Sequence, residues 1–146
     1  MRMSSHFTVA VQMLLMIVVF KEQNLTSGFI SKGTGANPVL IRQLYCKLKA
    51  AGLLSVCTGR GVTMLSKAPE EISLWDIYKA VEKCDVNDLF KFHPNISPKC
   101  QVGHCFKDVL TPHLEETIQA MAQKMEKVTL RQLVEEWKAL NQSSEV

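Results

Sequence analysis

SGFISKGTGANPVLIRQLYCKLKAAGLLSVCTGRGVTML, running from Ser27 to Leu65, reads as two helices followed by a hairpin. A short helical segment, Ser27 to Thr34, ends at a Gly35-Ala36 break. Asn37 then stands as a helix N-cap with Pro38 at the first helical position, where a missing N–H costs nothing. Leu40, Ile41, Leu44, Tyr45, Leu48 and Ala51 recur at helical spacing and predict one apolar face. Gly52 supplies the stop. Two short apolar runs follow, Leu53 to Cys57 and Val62 to Leu65, joined by Thr58-Gly59-Arg60-Gly61, a tight turn with an arginine at its tip. Two helices at a sharp angle beside a basic-tipped hairpin make a winged helix-turn-helix, the shape that reads a DNA groove and grips the backbone next to it.

Charge distribution supports this more than total charge does. The chain of 146 residues is 47% hydrophobic and 21% charged, with a net charge of +3, an ordinary balance for a globular protein with one core. Such a mild excess permits a nucleic-acid partner without arguing for one. Residues 32 to 67, however, hold Lys32, Arg42, Lys47, Lys49, Arg60 and Lys67 and no Asp or Glu. Most of the acids lie in 70 to 88 and 108 to 136. The segment with DNA-binding shape is thus also the most purely basic one.

Phe7 to Phe20 is almost wholly apolar, interrupted only by Thr8 and Gln12, and Arg2 precedes it. A secretory signal peptide is the rival reading. No small-x-small cleavage site follows at once, and the run is shorter than the ~20 apolar residues of a membrane span. A first helix buried on most faces, capped by Ser4 or Ser5, is the preferred reading. Five cysteines in no regular framework point to a reducing compartment, and the protein is expected in the cytoplasm.

Beyond the hairpin, Pro69-Glu70-Glu71 reads as a linker. Ser73 with Asp76 three residues on makes a capping box, opening a helix with a stripe of Leu74, Ile77, Tyr78 and Val81. From Cys84 to Pro98 the periodicity fails, and the segment reads as a long loop. A helical region resumes near Gln101, with Phe106, Val109 and Leu110 on one face and Thr111-Pro112 placed to kink or restart it. Leu114, Ile118, Met121 and Met125 continue as a short heptad seam. Thr129 with Gln132 opens a last helix expected to bury Leu130, Leu133, Val134 and Trp137. The domain reading is a DNA-binding unit over 1–83, a loop over 84–100 and dimerisation helices over 101–146. There is no internal repeat and no low-complexity tract.

Several strings resemble the Rrf-two family of bacterial transcriptional repressors, which includes the iron–sulfur cluster regulator and the cysteine-metabolism repressor. They are Asn37-Pro38-Val39-Leu40 with Leu44 and Leu48, Lys49-Ala50-Ala51-Gly52-Leu53-Leu54, Gly59-Arg60-Gly61, and Ile72 to Glu82. Pro98-Lys99-Cys100-Gln101-Val102-Gly103 is similar to a string of the cluster-free members. The resemblance spans Ser5 to about Leu140. It implies an N-terminal winged helix-turn-helix and a long dimerisation helix in an intertwined homodimer. The wing departs from the family pattern, Arg-Gly-x-x-Gly-Gly and an aromatic, being shortened here to Gly59-Arg60-Gly61-Val62.

A helical wheel centred on Leu48 puts Val39, Arg42, Gln43, Cys46, Lys47 and Lys49 on the outward arc. Recognition helices read base edges from their N-terminal half, which favours Asn37, Val39, Arg42 and Gln43, with Lys47 and Lys49 nearer phosphate and Arg60 on the backbone from the wing. Arg42 can take a guanine bidentately and Gln43 an adenine. The plain alternative is a solvated surface helix.

Cysteine chemistry reads more weakly. Cys100 and Cys105 stand near His93, His104 and His113, without the second Cys pair that would specify a metal site. The cluster-binding relatives carry three cysteines in this loop, and only Cys100 matches, with Asp88 and Pro94 at the other two positions. No metal or cofactor is expected. A thiol switch at Cys46, Cys57 or Cys100 stands against the commoner case of inert thiols. Enzyme signatures are missing: there is no nucleophile elbow, phosphate loop or zinc-protease helix, and Gly33-Thr34-Gly35 lacks the third glycine of a nucleotide fingerprint. The expectation is a mainly α protein with a small β-hairpin wing and a long dimerisation helix, a homodimeric regulator that binds a palindromic operator in double-stranded DNA and represses transcription. Two alternatives keep the fold: a redox-sensing or effector-binding module, and a winged-helix interaction protein that does not bind DNA.

Overall fold

The computed structural model describes residues 4–21, 23, 25–56 and 63–144. Its first helix, α1 (His6–Val19), buries Ala10, Met13, Leu14, Met16 and Ile17 and touches four other helices and the second strand. An apolar run of this kind has no solvent face to spare, so the buried-helix reading stands. Ser5 occupies the cap position without using its hydroxyl; Ser4 Oγ instead accepts the His6 N–H at 3.2 Å, and the Ser4 hydroxyl reaches the Glu82 carboxylate. No helix among the described residues is long and apolar enough to cross a membrane.

Helix α2 (Ser27–Thr34) starts at Thr26, whose hydroxyl accepts the Phe29 N–H at 3.1 Å. It stops at Gly35, whose φ of +73° suits glycine. The Ser31 hydroxyl donates to the Ala36 carbonyl at 2.6 Å across the turn and fixes the angle to α3 (Pro38–Ala50). In α3, Asn37 Oδ1 accepts the Leu40 N–H at 2.9 Å. Ile41, Leu44 and Leu48 are buried, while Leu40 and Tyr45 are half-buried. Ala51 is exposed, contrary to the expected face, because the helix ends at Ala50 and Ala51 is already the cap. Gly52 turns the chain at φ +75°. Strands β1 (Leu54–Val56) and β2 (Thr63–Leu65) pair antiparallel, Leu54 opposite Leu65. The turn between them, with Cys57 and Arg60, lies outside the described residues.

Pro69–Glu71, expected as a plain linker, forms a 3-10 turn, the Glu71 carboxylate taking the Ala68 N–H at 3.1 Å. The Ser73–Asp76 capping box of α4 (Leu74–Val81) is made in both directions. Ile77, Tyr78 and Val81 are buried as the stripe requires; Trp75 is buried as well, stacked on Tyr78 with centroids 5.4 Å apart.

The supposed loop after Cys84 contains a one-turn helix, α5 (Val86–Leu89), begun at Asp85. Turns follow, and helix resumes at Phe106, not near Gln101. From there α6 (Phe106–Glu126) runs unbroken through Pro112. Helix α7 (Leu130–Ser143) is capped by Thr129, which accepts the Gln132 N–H at 3.2 Å. The reciprocal arm of that box is unmade, since the Gln132 amide donates to Glu136 at 2.9 Å. Leu130 and Val134 are buried and Leu133 half-buried, but Trp137 is 38% exposed. It lies at the rim of a cavity of about 310 Å³ between α1 and α7 that no side chain fills. The corner between α6 and α7 is tied to the start of α4: the Leu74 N–H donates to the Val128 carbonyl at 2.9 Å, and the Leu130 N–H to Ile72 at 2.8 Å. α7 therefore packs back on α1 and the 3-10 turn.

Candidate nucleic-acid interface

Helix α3 sits on its three buried residues and turns the other side to solvent. Val39, Arg42, Gln43, Cys46, Lys47 and Lys49 are all exposed, as the wheel requires. Asn37 is exposed too; its Oδ1 is committed to the cap. Arg42 borders a small concavity of about 220 Å³ with Ser27 of α2, Tyr45 of α3 and Thr63 of β2. Burial pushes the Tyr45 phenol above its ordinary pKa, so it keeps its proton and stays a donor. Arg42, Ser27, Tyr45 and Thr63 thus border a hollow between both helices and the wing whose remaining lining is Leu25, Ile30 and Ile41; the four are residue types that can donate to a phosphate or a base edge.

Lys47 behaves differently from its neighbours. Its ammonium donates to the Val81 carbonyl at 3.2 Å, at the C-terminal end of α4. Helical periodicity within α3 could not show this, because the partner is distant in sequence. Among the described residues the ion pairs are Lys79–Asp76, Arg131–Glu70 and Arg131–Glu135, none of them on α3. No described carboxylate neutralises the outward cations there.

The dimer-seam candidates Leu114, Ile118, Met121 and Met125 are all half-buried along α6. The helix has 21 residues and buries none of them completely.

The cysteines are free where described: Cys46 and Cys100 exposed, Cys84 and Cys105 half-buried. The N–H groups of Gly103 and Val102 hold the Cys100 thiol below its ordinary range, whereas burial pushes Cys84 up. The loop that presents Cys100 needs glycine at 103, where a Cβ would stand 2.5 Å from the Ser97 carbonyl oxygen.

Residues 3–136 match the family model described as "Rrf2: Iron-dependent Transcriptional regulator". The chain is 30% identical over 131 residues to a protein of Bacillus subtilis named as an HTH-type transcriptional regulator, YwnA, covering 90% of this chain and 96% of that one. A solved structure described as a DNA-binding protein superposes with a TM-score of 0.70 at 26% identity, covering 88% of this chain and 98% of the other. The fold is also similar to a transcriptional regulator from Lactobacillus plantarum, TM-score 0.75 at 19% identity, covering 98% of this chain and 99% of that one. The iron in the family's description does not fit the donor set of the described residues. Among the described residues no three His, Cys, Asp or Glu side chains come together to hold a metal, and a cluster needs several thiolates on one site.

Proposed function

The chain belongs to the Rrf2 family of DNA-binding transcriptional regulators, which are not enzymes, and we propose that it is a repressor acting as a homodimer on a palindromic operator. The observation that carries this reading is the outward face of α3, where Val39, Arg42, Gln43 and Lys49 are exposed with no acid beside them in sequence from Lys32 to Lys67. Arg42 and Gln43 read bases, with Asn37 and Val39 at the entrance to the groove. Lys49 and the wing's Arg60 serve the phosphates, while Lys47 is held at the Val81 carbonyl. The half-covered seam of α6 supports a dimer, and two-fold symmetry then sets half-sites about 34 Å apart or a multiple of that. The family resemblance to repressors supports the sign of regulation. Such a protein works where bacterial DNA is, in the cytoplasm.

Operator selection from random duplex DNA followed by titration tests the assignment. Arg42→Ala should weaken binding to the selected site by about 1–3 kcal/mol while nearly sparing random DNA, as the loss of a base contact does. Arg60→Ala should weaken every sequence and flatten the salt slope, since a backbone contact releases counterions whatever the base. Identical behaviour of the two variants would overturn this division of roles.

A further inference from the structure

We propose that the cleft between α5, the segment after it and the first turns of α6 binds a small organic acid, an apolar and preferably aromatic body carrying one anionic group, and that its occupancy is read at α3. The cleft is half-open and has a volume of about 710 Å³, within the ~300–1,000 Å³ of small-molecule sites. Leu89, Phe90, Phe92, Ile96, Phe106 and Leu110 wall it. Phe92 and Phe106 meet edge to face with centroids 6.1 Å apart, an arrangement that leaves ring faces available for stacking. None of these six is buried, and Phe106 is 38% exposed. The other five are half-buried, so part of each side chain stays open to an occupant of the hollow.

Charge identifies the occupant. Residues 89 to 107 contain Lys91, His93, Lys99, His104 and Lys107 and no Asp or Glu. Lys91 and His93 line the cleft itself, and Lys107 Nζ lies 5.5 Å from the centre of the Phe92 ring. Asp88 is the acid of the lining, at the α5 side. A neutral apolar molecule would use the rings and leave this cationic rim idle; an anionic one uses both. The hollow is closed on its far side by residues 90–96 and ends at Leu114, where the straight seam that suits a second copy of α6 begins.

The route to DNA is short. The cleft begins on α5, which follows α4 directly, and the last carbonyl of α4, at Val81, holds Lys47 of the recognition helix. A ligand that prefers one position of α5 therefore shifts the support under α3, and can do so only as far as it discriminates between positions. This half of the proposal rests on the chain being a DNA-binding regulator, whereas the cleft is tested without DNA.

Anilinonaphthalene sulfonate, an aromatic anion, and phenylnaphthylamine, its uncharged counterpart, are titrated by fluorescence into the full chain. Both should bind saturably at one site per chain. Leu110→Trp, which fills the cleft from α6, should remove that site for both probes while circular dichroism and DNA affinity stay as in the parent; unchanged probe binding would overturn the cleft. The pair Lys91→Gln and Lys107→Gln should weaken the sulfonate roughly two- to tenfold and spare the amine, given what rim charges contribute. Equal effects on both probes would overturn the preference for an acid. With the sulfonate saturating, operator affinity should change at least about threefold in the parent and not in Leu110→Trp, a size ordinary for coupling between sites. Unchanged affinity with the probe bound would overturn the regulatory half, and loss of DNA binding in the absence of probe would instead point at the functional assignment.

Discussion

Lys47 and Lys49 leave α3 from the same exposed arc, yet they stand in different circumstances. The Lys47 ammonium meets the Val81 carbonyl at 3.2 Å, where the negative end of the α4 dipole welcomes a cation. Lys49 has no such partner among the described residues. Lys47→Met keeps the apolar stem and removes the charge, so it should lower stability by about 0.3–1 kcal/mol, read as a small fall in melting temperature. Lys49→Met should leave melting unchanged, weaken binding to all DNA alike and reduce the salt slope by about one. A Lys49 variant that loses stability, or a Lys47 variant that loses none, would reverse the roles. The thiols divide in the same way. Backbone N–H groups stabilise the Cys100 thiolate while burial opposes that of Cys84. Iodoacetamide at neutral pH should therefore label Cys100 ahead of Cys84 in a peptide map, and the opposite order would contradict the loop geometry. Whether any thiol controls DNA binding is a separate matter: a diamide effect abolished by Cys46→Ser would place the switch on the groove-facing arc, and one abolished only by Cys100→Ser would place it beside α6.

Caps mark the elements, and the cap of α4 is pH-dependent. Burial alone would raise the Asp76 carboxyl; the Ser73 N–H and hydroxyl, with Lys79 and Lys67, outweigh it and hold the group below its usual range. A carboxyl depressed in the folded state adds stability that is complete above the unfolded value of about 3.9. That contribution is lost as the pH falls through the folded value. Asp76→Asn should accordingly be less stable than the parent at pH 7, with the gap closing in acid below about pH 4. Ser73→Ala should cost about 1 kcal/mol, or some 2–4 °C of melting temperature for a chain of this size. A constant gap across pH would remove the carboxylate from the account. Such local chemistry is why α2, α3 and α4 could be read from sequence to within a residue: Asn37-Pro38, Gly35, Gly52 and Ser73-Asp76 act within a few positions of themselves. Trp75, Trp137 and Lys47 could not be placed that way, because what covers or engages them comes from α1, α4 or nothing at all. The turn of α5 is too short to show a period, and Pro112 signals a break that the continuous α6 does not make. In the candidate site, exposure along α3 followed from the wheel, whereas the hollow shared by Ser27, Arg42, Tyr45 and Thr63 needed the fold to bring three elements together.

A helix of 21 residues is about 31 Å long at 1.5 Å per residue, about the diameter of a small domain, yet none of its side chains is fully buried. Helices α1, α3, α4 and α7 all find cover within the chain; α6 rests on α4 and α5. Leu114, Ile118, Met121 and Met125 follow one another at four-, three- and four-residue steps, the pattern of a seam made to meet another helix. The recognition helix is on a different part of the fold and has to stay clear for DNA. In the proposed dimer a second copy laid along α6 covers the seam, leaves α3 of each protomer free and converts one weak groove contact into two on a single duplex. Ile118→Glu places a charge at the middle of that seam, where an unpaired carboxylate is expensive to bury. The variant should run as a monomer by sizing with light scattering and should bind an isolated half-site as poorly as random DNA, with its helical content preserved. Ile118→Leu, of the same volume, should stay dimeric. If Ile118→Glu remains a dimer and binds its operator normally, the two-fold contact lies elsewhere, and the exposed Trp137 and Leu140 of α7 become the surface to test next.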